Sequence, residues 1–266
     1  MARKKVRRRK VKRKVRKRAK KGPKRSKGTV KKSPRKVYRK PKPKKVKKIK
    51  KVSVKLDVNK MNDEKAYDLM KRYRLPIVPY AFCKNEKQLL VAIKKIGFPL
   101  AMKVSGKILH KTEVKGVRLN ISDEEEAVKT FYDLMKISGT DKVLVQKMIK
   151  KGYELIVGAK RDPNFNSVVA LGAGGIYTEL LKDVSFRVTP LSKFDAEQML
   201  NEVKFSEIIL TGFRGKKPAD KNSIIDTLLT VSRIMEKNNK IKELDINPLF
   251  VTSKKSFVTD VRIILK

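Results

Sequence analysis

Residues 1–55 contain 32 of the chain's 70 lysines and arginines and no aspartate or glutamate. Like charges repel along this whole stretch, and its apolar residues are mostly isolated valines. The stretch cannot bury enough surface to offset the entropy of ordering. Pro23, Pro34, Pro41 and Pro43 interrupt any helix it would form. A folded core is therefore expected only from the remaining residues, where 38 basic side chains face 26 acidic ones. The whole chain has 266 residues and a net charge of +44, so it reads as a disordered basic tail joined to a moderately basic globular part. Such a tail suits counterion-release binding to RNA, DNA or another polyanion, with affinity falling as salt rises. Tyr38 is its only aromatic residue, which argues against base stacking or sequence readout. The alternative is a solvated tail with no dedicated partner.

No apolar run approaches the roughly 18–20 residues of a membrane span, and no hydrophobic segment follows the charged N-terminus as in a secretory signal. Cys83 is the single cysteine, which excludes an internal disulfide and fits a reducing compartment. A cytoplasmic location is the expectation.

Beyond the tail, Ala66, Leu69, Met70 and Tyr73 recur at helical spacing, with Asn62 or Asp63 as cap. Asn85–Ile96 repeats the pattern and Gly97 terminates it. Pro99–Val104 reads as a buried strand. The stretch Ser122-Asp-Glu-Glu-Glu126 reads as a capping box for a helix running to about residue 137. Strands are expected at Lys142–Ile149, Tyr153–Arg161 and Ser167–Leu171, helices at Asp195–Val203, Ile208–Leu210 and Asn222–Asn238. A strand pair, Glu243–Val251 and Ser256–Ile264, closes the chain. Frequent hairpins make this α+β rather than a regular βαβ series.

Three stretches can carry chemistry. His110 is the only histidine, and an imidazole can act as nucleophile, base or ligand near neutral pH where lysine and arginine do not. A hydrogen-bonded histidine at a strand edge is the plain alternative. Gly172–Gly175 follows a strand, and small residues let backbone amides approach an anion closely. The run matches neither the P-loop nor the dinucleotide-binding pattern, and a simple turn explains it equally well. Glu179, Asp183 and Arg187 follow, and a solvated charged face accounts for them too. Finally, Glu243, Asp245 and Asn247 fall on one side of a strand, Leu244 and Ile246 on the other, with Asp260 on the next strand. Oxygen donors on one face suit a hard cation such as Mg²⁺ carrying nucleotide phosphates. Asp and Asn are poor strand formers, which favours that reading over a solvent-facing pair.

From about Met61 to the C-terminus the chain resembles the β subunit of ADP-forming (NDP-forming) acetate–CoA ligases, ATP-grasp proteins related to the succinyl-CoA synthetase β subunit. The matching stretches are LHKTEVKGVRLNI, LVQKMIKKGYELIVGAKRDPNF, ALGAGGIYTELLKDVSFRVTPL, GFRGKKPAD and IKELDINPLF. Where the family usually has Gly-Gly, this chain has Lys115-Gly116.

The resemblance implies two α+β lobes, about 61–138 and 139–266, closing on ATP. It implies that Lys103 contacts nucleotide phosphates with Glu154 nearby, and that Gln146, Lys147 and Met148 lie at the adenine. Gly174, Gly175 and Arg187 would sit beside the phosphates. Asn247 and Asp260 would be Mg²⁺ ligands, and Asp245 would line the phosphoryl-transfer site. His110 would receive or relay the phosphoryl group, with Lys111 steadying its charge. The implied reaction interconverts acyl-CoA, ADP and phosphate with carboxylic acid, ATP and CoA. It also implies an α subunit, in an α2β2 assembly, carrying the CoA site and its own phosphorylated histidine. A competing reading makes the chain a nucleotide-sensing grasp protein whose tail binds nucleic acid.

Overall fold

The computed structural model describes residues 59–174 and 183–266. The basic tail, Gly175 and Glu179 lie outside those residues. Within them the chain forms two antiparallel sheets, each with helices on one side.

The smaller sheet has the order β1–β4–β2–β3, formed by β1 (Tyr80–Cys83), β2 (Leu100–Gly106), β3 (Val117–Ile121) and β4 (Thr140–Lys147). Helices α2 (Glu86–Ile96) and α3 (Glu124–Met135) cover it. Leu89, Ile93, Met102, Val104, Phe131 and Val145 fill the space between. The larger sheet runs β10–β8–β5–β6–β7, with β9 paired to β8. Its strands are β5 (Tyr153–Asp162), β6 (Asn166–Ala173), β7 (Val184–Val188), β8 (Ile241–Val251), β9 (Ser256–Val258) and β10 (Val261–Leu265). Helices α4 (Lys193–Glu202), α5 (Lys204–Thr211) and α6 (Lys221–Lys237) bury their apolar sides against one face of this sheet. At that interface Leu155, Val157, Val169, Leu171, Leu244 and Ile246 meet Met199, Leu228 and Val231.

Local signals explain the helix ends. Asn85 Oδ1 accepts from the Gln88 N–H and starts α2, and Gly97, at φ +71°, ends it. The cap of α3 falls one residue later than expected. Asp123, not Ser122, accepts from the Glu126 N–H, while the Glu126 carboxylate accepts the Ser122 N–H. The shorter Asp side chain thus holds the first turn and the glutamate ties down the residue before it.

Two expectations about layout need correction. The lobe division near residue 138 puts the strand at 140–147 in the second lobe, yet β4 lies between β1 and β2 in the first sheet. Helix α1 (Asp63–Arg72), near the start of the first lobe, buries Ala66, Leu69 and Met70 in the core of the larger sheet. Its Tyr67 ring also meets the edges of Tyr80 and Phe82 in β1, 4.8 and 5.5 Å away. The body's first and last residues lie side by side: Lys60 bridges Ile264, and the Leu265 N–H donates to the Asn59 carbonyl at 2.9 Å.

At the Lys115-Gly116 step the backbone runs close to β2. A Cβ on Gly116 would lie 2.5 Å from a Val104 methyl, so only glycine fits there. Lys115 has φ +53°, a left-handed conformation costing about 1–2 kcal/mol for an L-residue. Lys115→Gly is expected to raise stability by up to about 1 kcal/mol once glycine's greater unfolded-state freedom is subtracted. Chemical denaturation of the two proteins checks this, and a destabilised variant would contradict it.

Candidate nucleotide and phosphoryl-transfer site

Strand β2 ends at Ser105-Gly106, and the following loop carries His110 and Lys111 toward β8 and β10. Ile108, buried in the small core, anchors the loop just before the histidine. The exposed His110 then lines a cavity of about 630 Å³ with Lys111, Asp245, Asn247, Asp260 and Arg262. Asp245 and Asn247 come from the face of β8 opposite the buried Leu244 and Ile246, as the alternation in that strand requires. Asp260 sits in the two-residue break between β9 and β10, where the closing strand expected at Ser256–Ile264 divides.

The wall beneath the cavity is a network of buried charge. Lys111 Nζ lies 2.6 Å from Asp260 Oδ1. Lys103, 6 % exposed on β2, donates to the Thr259 carbonyl at 2.8 Å. That carbonyl also accepts from the Tyr67 hydroxyl at 3.1 Å, which in turn accepts from Gln146 Nε2 at 3.1 Å. Lys60 pairs with Asp63 at 2.6 Å and donates to the Gly106 carbonyl at 2.7 Å. The Ser105 hydroxyl donates to the other Asp63 oxygen at 2.8 Å. The first turn of α1 thus clamps the start of the histidine loop.

Burial alone would raise the Asp260 carboxyl, but Lys111, then Lys103 and Lys60, hold it below the ordinary carboxylate value. Burial likewise works against the Lys111 ammonium, and Asp260 and Asp63 outweigh it and hold it above normal. In Lys103 burial wins and its affinity for a proton falls. The Asp245 carboxyl is pushed up, by burial first, against the pull of Arg262 at 3.3 Å and of His110. Lys60, Lys103 and Lys111 outnumber Asp63 and Asp260, so the wall favours an anion in front of it.

A folded-state value below the unfolded one means that Asp260 binds fewer protons in the native protein. Its stabilising contribution is complete above the ordinary carboxylate range, about pH 4, and is lost as pH falls through the depressed folded value. Asp260→Asn should therefore be less stable than the parent at pH 7 and lose less stability on acidification below about pH 4. Denaturation midpoints across that range measure it, and parallel curves would rule the linkage out.

The remaining expected residues fall in different places. Glu154 is exposed on β5, close enough to stabilise the Lys103 charge. Gly174 packs on it: its N–H donates to the Glu154 carbonyl at 2.8 Å, and a Cβ would come 2.6 Å from that backbone. Gln146 is buried, with its amide on Tyr67, so its side chain faces the interior. Lys147 Nζ donates to the Gly97 and Phe98 carbonyls at 3.1 and 2.6 Å. Met148 donates its N–H to Pro99, and its sulfur accepts from the Asn120 N–H. These three form a separate patch at the end of β4, joined to the cavity wall through Tyr67 and Thr259.

Arg187 departs from expectation. It lies on β7, a strand the sequence reading did not anticipate, and both ends of its guanidinium engage Glu202 of α4. Its charge is spent on that carboxylate, not on the cavity.

The sequence reading missed Lys60, Asp63, Tyr67, Thr259 and Arg262 as parts of the site. Asp63 and Tyr67 read as an ordinary first turn and an apolar helical position, and the Thr259 contribution is a backbone carbonyl that no side-chain pattern reveals.

An ATP-grasp domain model matches residues 53–265. The chain belongs to the ATP-grasp family. It is 37% identical over 211 residues to the Pyrococcus furiosus acetate–CoA ligase (ADP-forming) I subunit beta, covering 76% of this chain and 90% of that protein. The Archaeoglobus fulgidus acetate–CoA ligase (ADP-forming) II is 41% identical over 198 residues, 74% of this chain, and these span only 29% of the longer enzyme. Among solved structures, the dinucleotide forming acetyl-coenzyme A synthetase 1 of Ca. Korarchaeum cryptofilum superposes with a TM-score of 0.68. It is 38% identical, and the match covers 78% of this chain and 93% of that chain. It was solved with coenzyme A and Mg-AMPPCP, its phosphohistidine segment pointing towards the nucleotide binding site. The ATP-grasp domain of this chain is thus of the ADP-forming acetate–CoA ligase β-subunit kind. Among its described residues no helix is long and apolar enough to cross a membrane.

Proposed function

We propose that the chain is the ATP-grasp subunit of an ADP-forming acyl-CoA ligase, interconverting acyl-CoA, ADP and phosphate with carboxylic acid, ATP and CoA. The observation that carries this reading is the only imidazole of the sequence lining one cavity with Asp245, Asn247 and Asp260, on the fold of this family.

In the ATP-consuming direction ATP lies between the sheets with its γ-phosphate toward His110. A ring nitrogen forms a bond to phosphorus as the bond to the ADP oxygen breaks. Lys103, buried behind the wall on the Thr259 carbonyl, lends its positive charge to the phosphates, and Lys111 helps to hold the transferred charge. Such transfers need positioning and charge neutralisation more than covalent assistance. Asp245, paired with Arg262 at 3.3 Å, lines the cavity where the phosphoryl group would pass.

The donor set fits Mg²⁺ brought in with the nucleotide. Asn247 and Asp260 offer hard oxygens on one wall, and no group of three His, Cys, Asp or Glu among the described residues makes a metal site without the nucleotide. When bound there, the ion would draw off charge developing between the β- and γ-phosphates.

The CoA and acyl chemistry belongs to an α subunit in an α2β2 assembly, working in the cytoplasm. The single cysteine suits that compartment; it is buried, and burial pushes its thiol up to about 11. The tail's charge gives the assembly a non-specific contact with RNA or DNA. Co-expression with the α subunit of the Pyrococcus furiosus ligase, followed by an acetyl-CoA-dependent assay of ATP formation, tests the reading. ATP formation requiring both chains is expected, and Mg·ATP binding without turnover in any pairing would overturn it.

A further inference from the structure

The C-terminal end of α1, the start of α4 and the outer face of α6 enclose a hollow of about 900 Å³ that shares no residue with the His110 cavity. Five exposed cations line it, Arg72, Arg74, Lys193, Arg233 and Lys237, and among the described residues Asp226 is the one acid there. None of the five pairs with a carboxylate among the described residues.

Helix ends explain part of this charge. A cation is favoured at a helix C-terminus, and Arg72 and Lys237 close α1 and α6. Two others sit where the fold disfavours them. Lys193 opens α4, where the helix dipole works against a cation. Arg74 holds φ +60°, its N–H on the Lys71 carbonyl at 2.9 Å and the Leu75 N–H on the Met70 carbonyl at 3.0 Å. Glycine usually fills that left-handed helix cap, and an arginine there costs stability.

The hollow adjoins the root of the basic tail. The tail joins the body at Asn59, which lines a smaller hollow with Arg161, Lys242 and Lys266. Arg161 Nη2 donates to the Met235 and Asn238 carbonyls at 2.5 and 3.4 Å. Asn238 Nδ2 donates at 3.0 Å to the hydroxyl of Tyr73, on the wall of the larger hollow. Cationic surface thus runs from Asn59 to Lys193.

We propose that this surface carries the phosphodiester backbone of a nucleic acid from the tail across the body. Two magnitudes favour that occupant over a small anion or an acidic peptide. Between Asp226 and Lys237 the hollow follows α6 for roughly 16 Å. That is the axial length of about five phosphates of one strand, as many as the hollow has cations. Counterion release, which makes many lysines and arginines bind tightly, also needs a polymer charged densely enough to condense counterions. A nucleic acid is such a polymer and a short acidic peptide is not. The inference extends the contact proposed for the tail and is independent of the ligase reading.

The test uses the full-length chain and a DNA duplex of about 40 base pairs, whose phosphates outnumber the tail's 32 cations. With duplex bound, an amine-reactive label should modify Lys193 and Lys237 several-fold more slowly and the exposed Lys129 of α3 at its free rate. In a variant carrying Arg74→Gly, Lys193→Gln and Arg233→Gln, the slope of log affinity on log salt should be shallower by about 2–3, at about 0.9 per lost phosphate contact. Arg74→Gly alone should unfold at higher denaturant and bind DNA more weakly, a combination that a merely structural arginine does not give. Protection by the DNA duplex, by an RNA duplex of the same sequence or by both supports the proposal and names the polymer. Bound duplex with Lys193 and Lys237 unprotected, with Lys129 equally slowed, or with the variant's salt slope unchanged overturns the body site and leaves the tail contact standing. A chain that binds neither duplex overturns both. Equal protection of Lys193 and Lys237 by polyglutamate at matched charge would make the hollow a seat for acidic protein and also defeats the proposal.

Discussion

His110→Ala is expected to bind Mg·ATP nearly as the parent does and to pass on none of its phosphate. The imidazole is exposed on its loop, and the side chains beneath it are held by one another: Lys111 by Asp260, Lys103 by the Thr259 carbonyl, Lys60 by Asp63. Removing the ring leaves those contacts standing, so nucleotide affinity should shift little while turnover falls by a factor on the order of 10³ or more, as when a nucleophile is deleted. Calorimetric titration with Mg·ATP reads the first quantity. Acid-labile, base-stable phosphate on the chain, followed with labelled ATP, reads the second. Turnover within tenfold of the parent would mean that the phosphoryl group never visits this residue.

Asp260→Ala should produce the largest loss of stability. Its carboxylate answers Lys111 directly and Lys103 and Lys60 at longer range. Without it, three buried ammonium groups keep only Asp63 and the more distant Glu154 as counter-charges. Breaking a buried pair by removing one partner typically costs about 3–5 kcal/mol; the partial exposure of Asp260, 21 % at its side chain, argues for the lower end. Lys103 and Lys111 would then lose protons more readily, so the variant's deficit should shrink as pH rises toward the lysine range. Urea denaturation at neutral and alkaline pH measures both effects. A loss below about 1 kcal/mol, the scale of a surface pair, would show that the network carries little of the fold's stability.

Where side-chain periodicity and burial agreed, the fold was legible in the chain. Leu244, Ile246, Leu249 and Val251 alternate inward along β8 and so leave Asp245 and Asn247 on the other side. Strand β7 escaped notice because its pattern is inverted: Ser185 is buried, while Phe186 and Val188 point outward. Arg187 looked available because its neutralising partner lies fifteen residues away on a helix. The place of β4 in the first sheet was hidden because pairing across a sheet depends on register with distant strands. Asp63 read in sequence as a candidate helix cap, and nothing in the pattern marked its buried ion pair with Lys60. Strand alternation and oxygen-donor chemistry grouped Asp245, Asn247 and Asp260, the family resemblance added His110, and the geometry gathers the four around a shared hollow.

The adjacency of Asn59 and Lys60 to Ile264 and Leu265 bears on how such a body can be spliced. With both ends at one point on the surface, it can be joined to another polypeptide through either terminus without stretching the chain. A circular permutant that joins Lys266 to Asn59 by a short linker and opens at the exposed 163–165 turn of the β5–β6 hairpin should keep its native sheets and its nucleotide pocket. The same economy lets one architecture serve as a free-standing polypeptide in one lineage and as under a third of a larger enzyme in another.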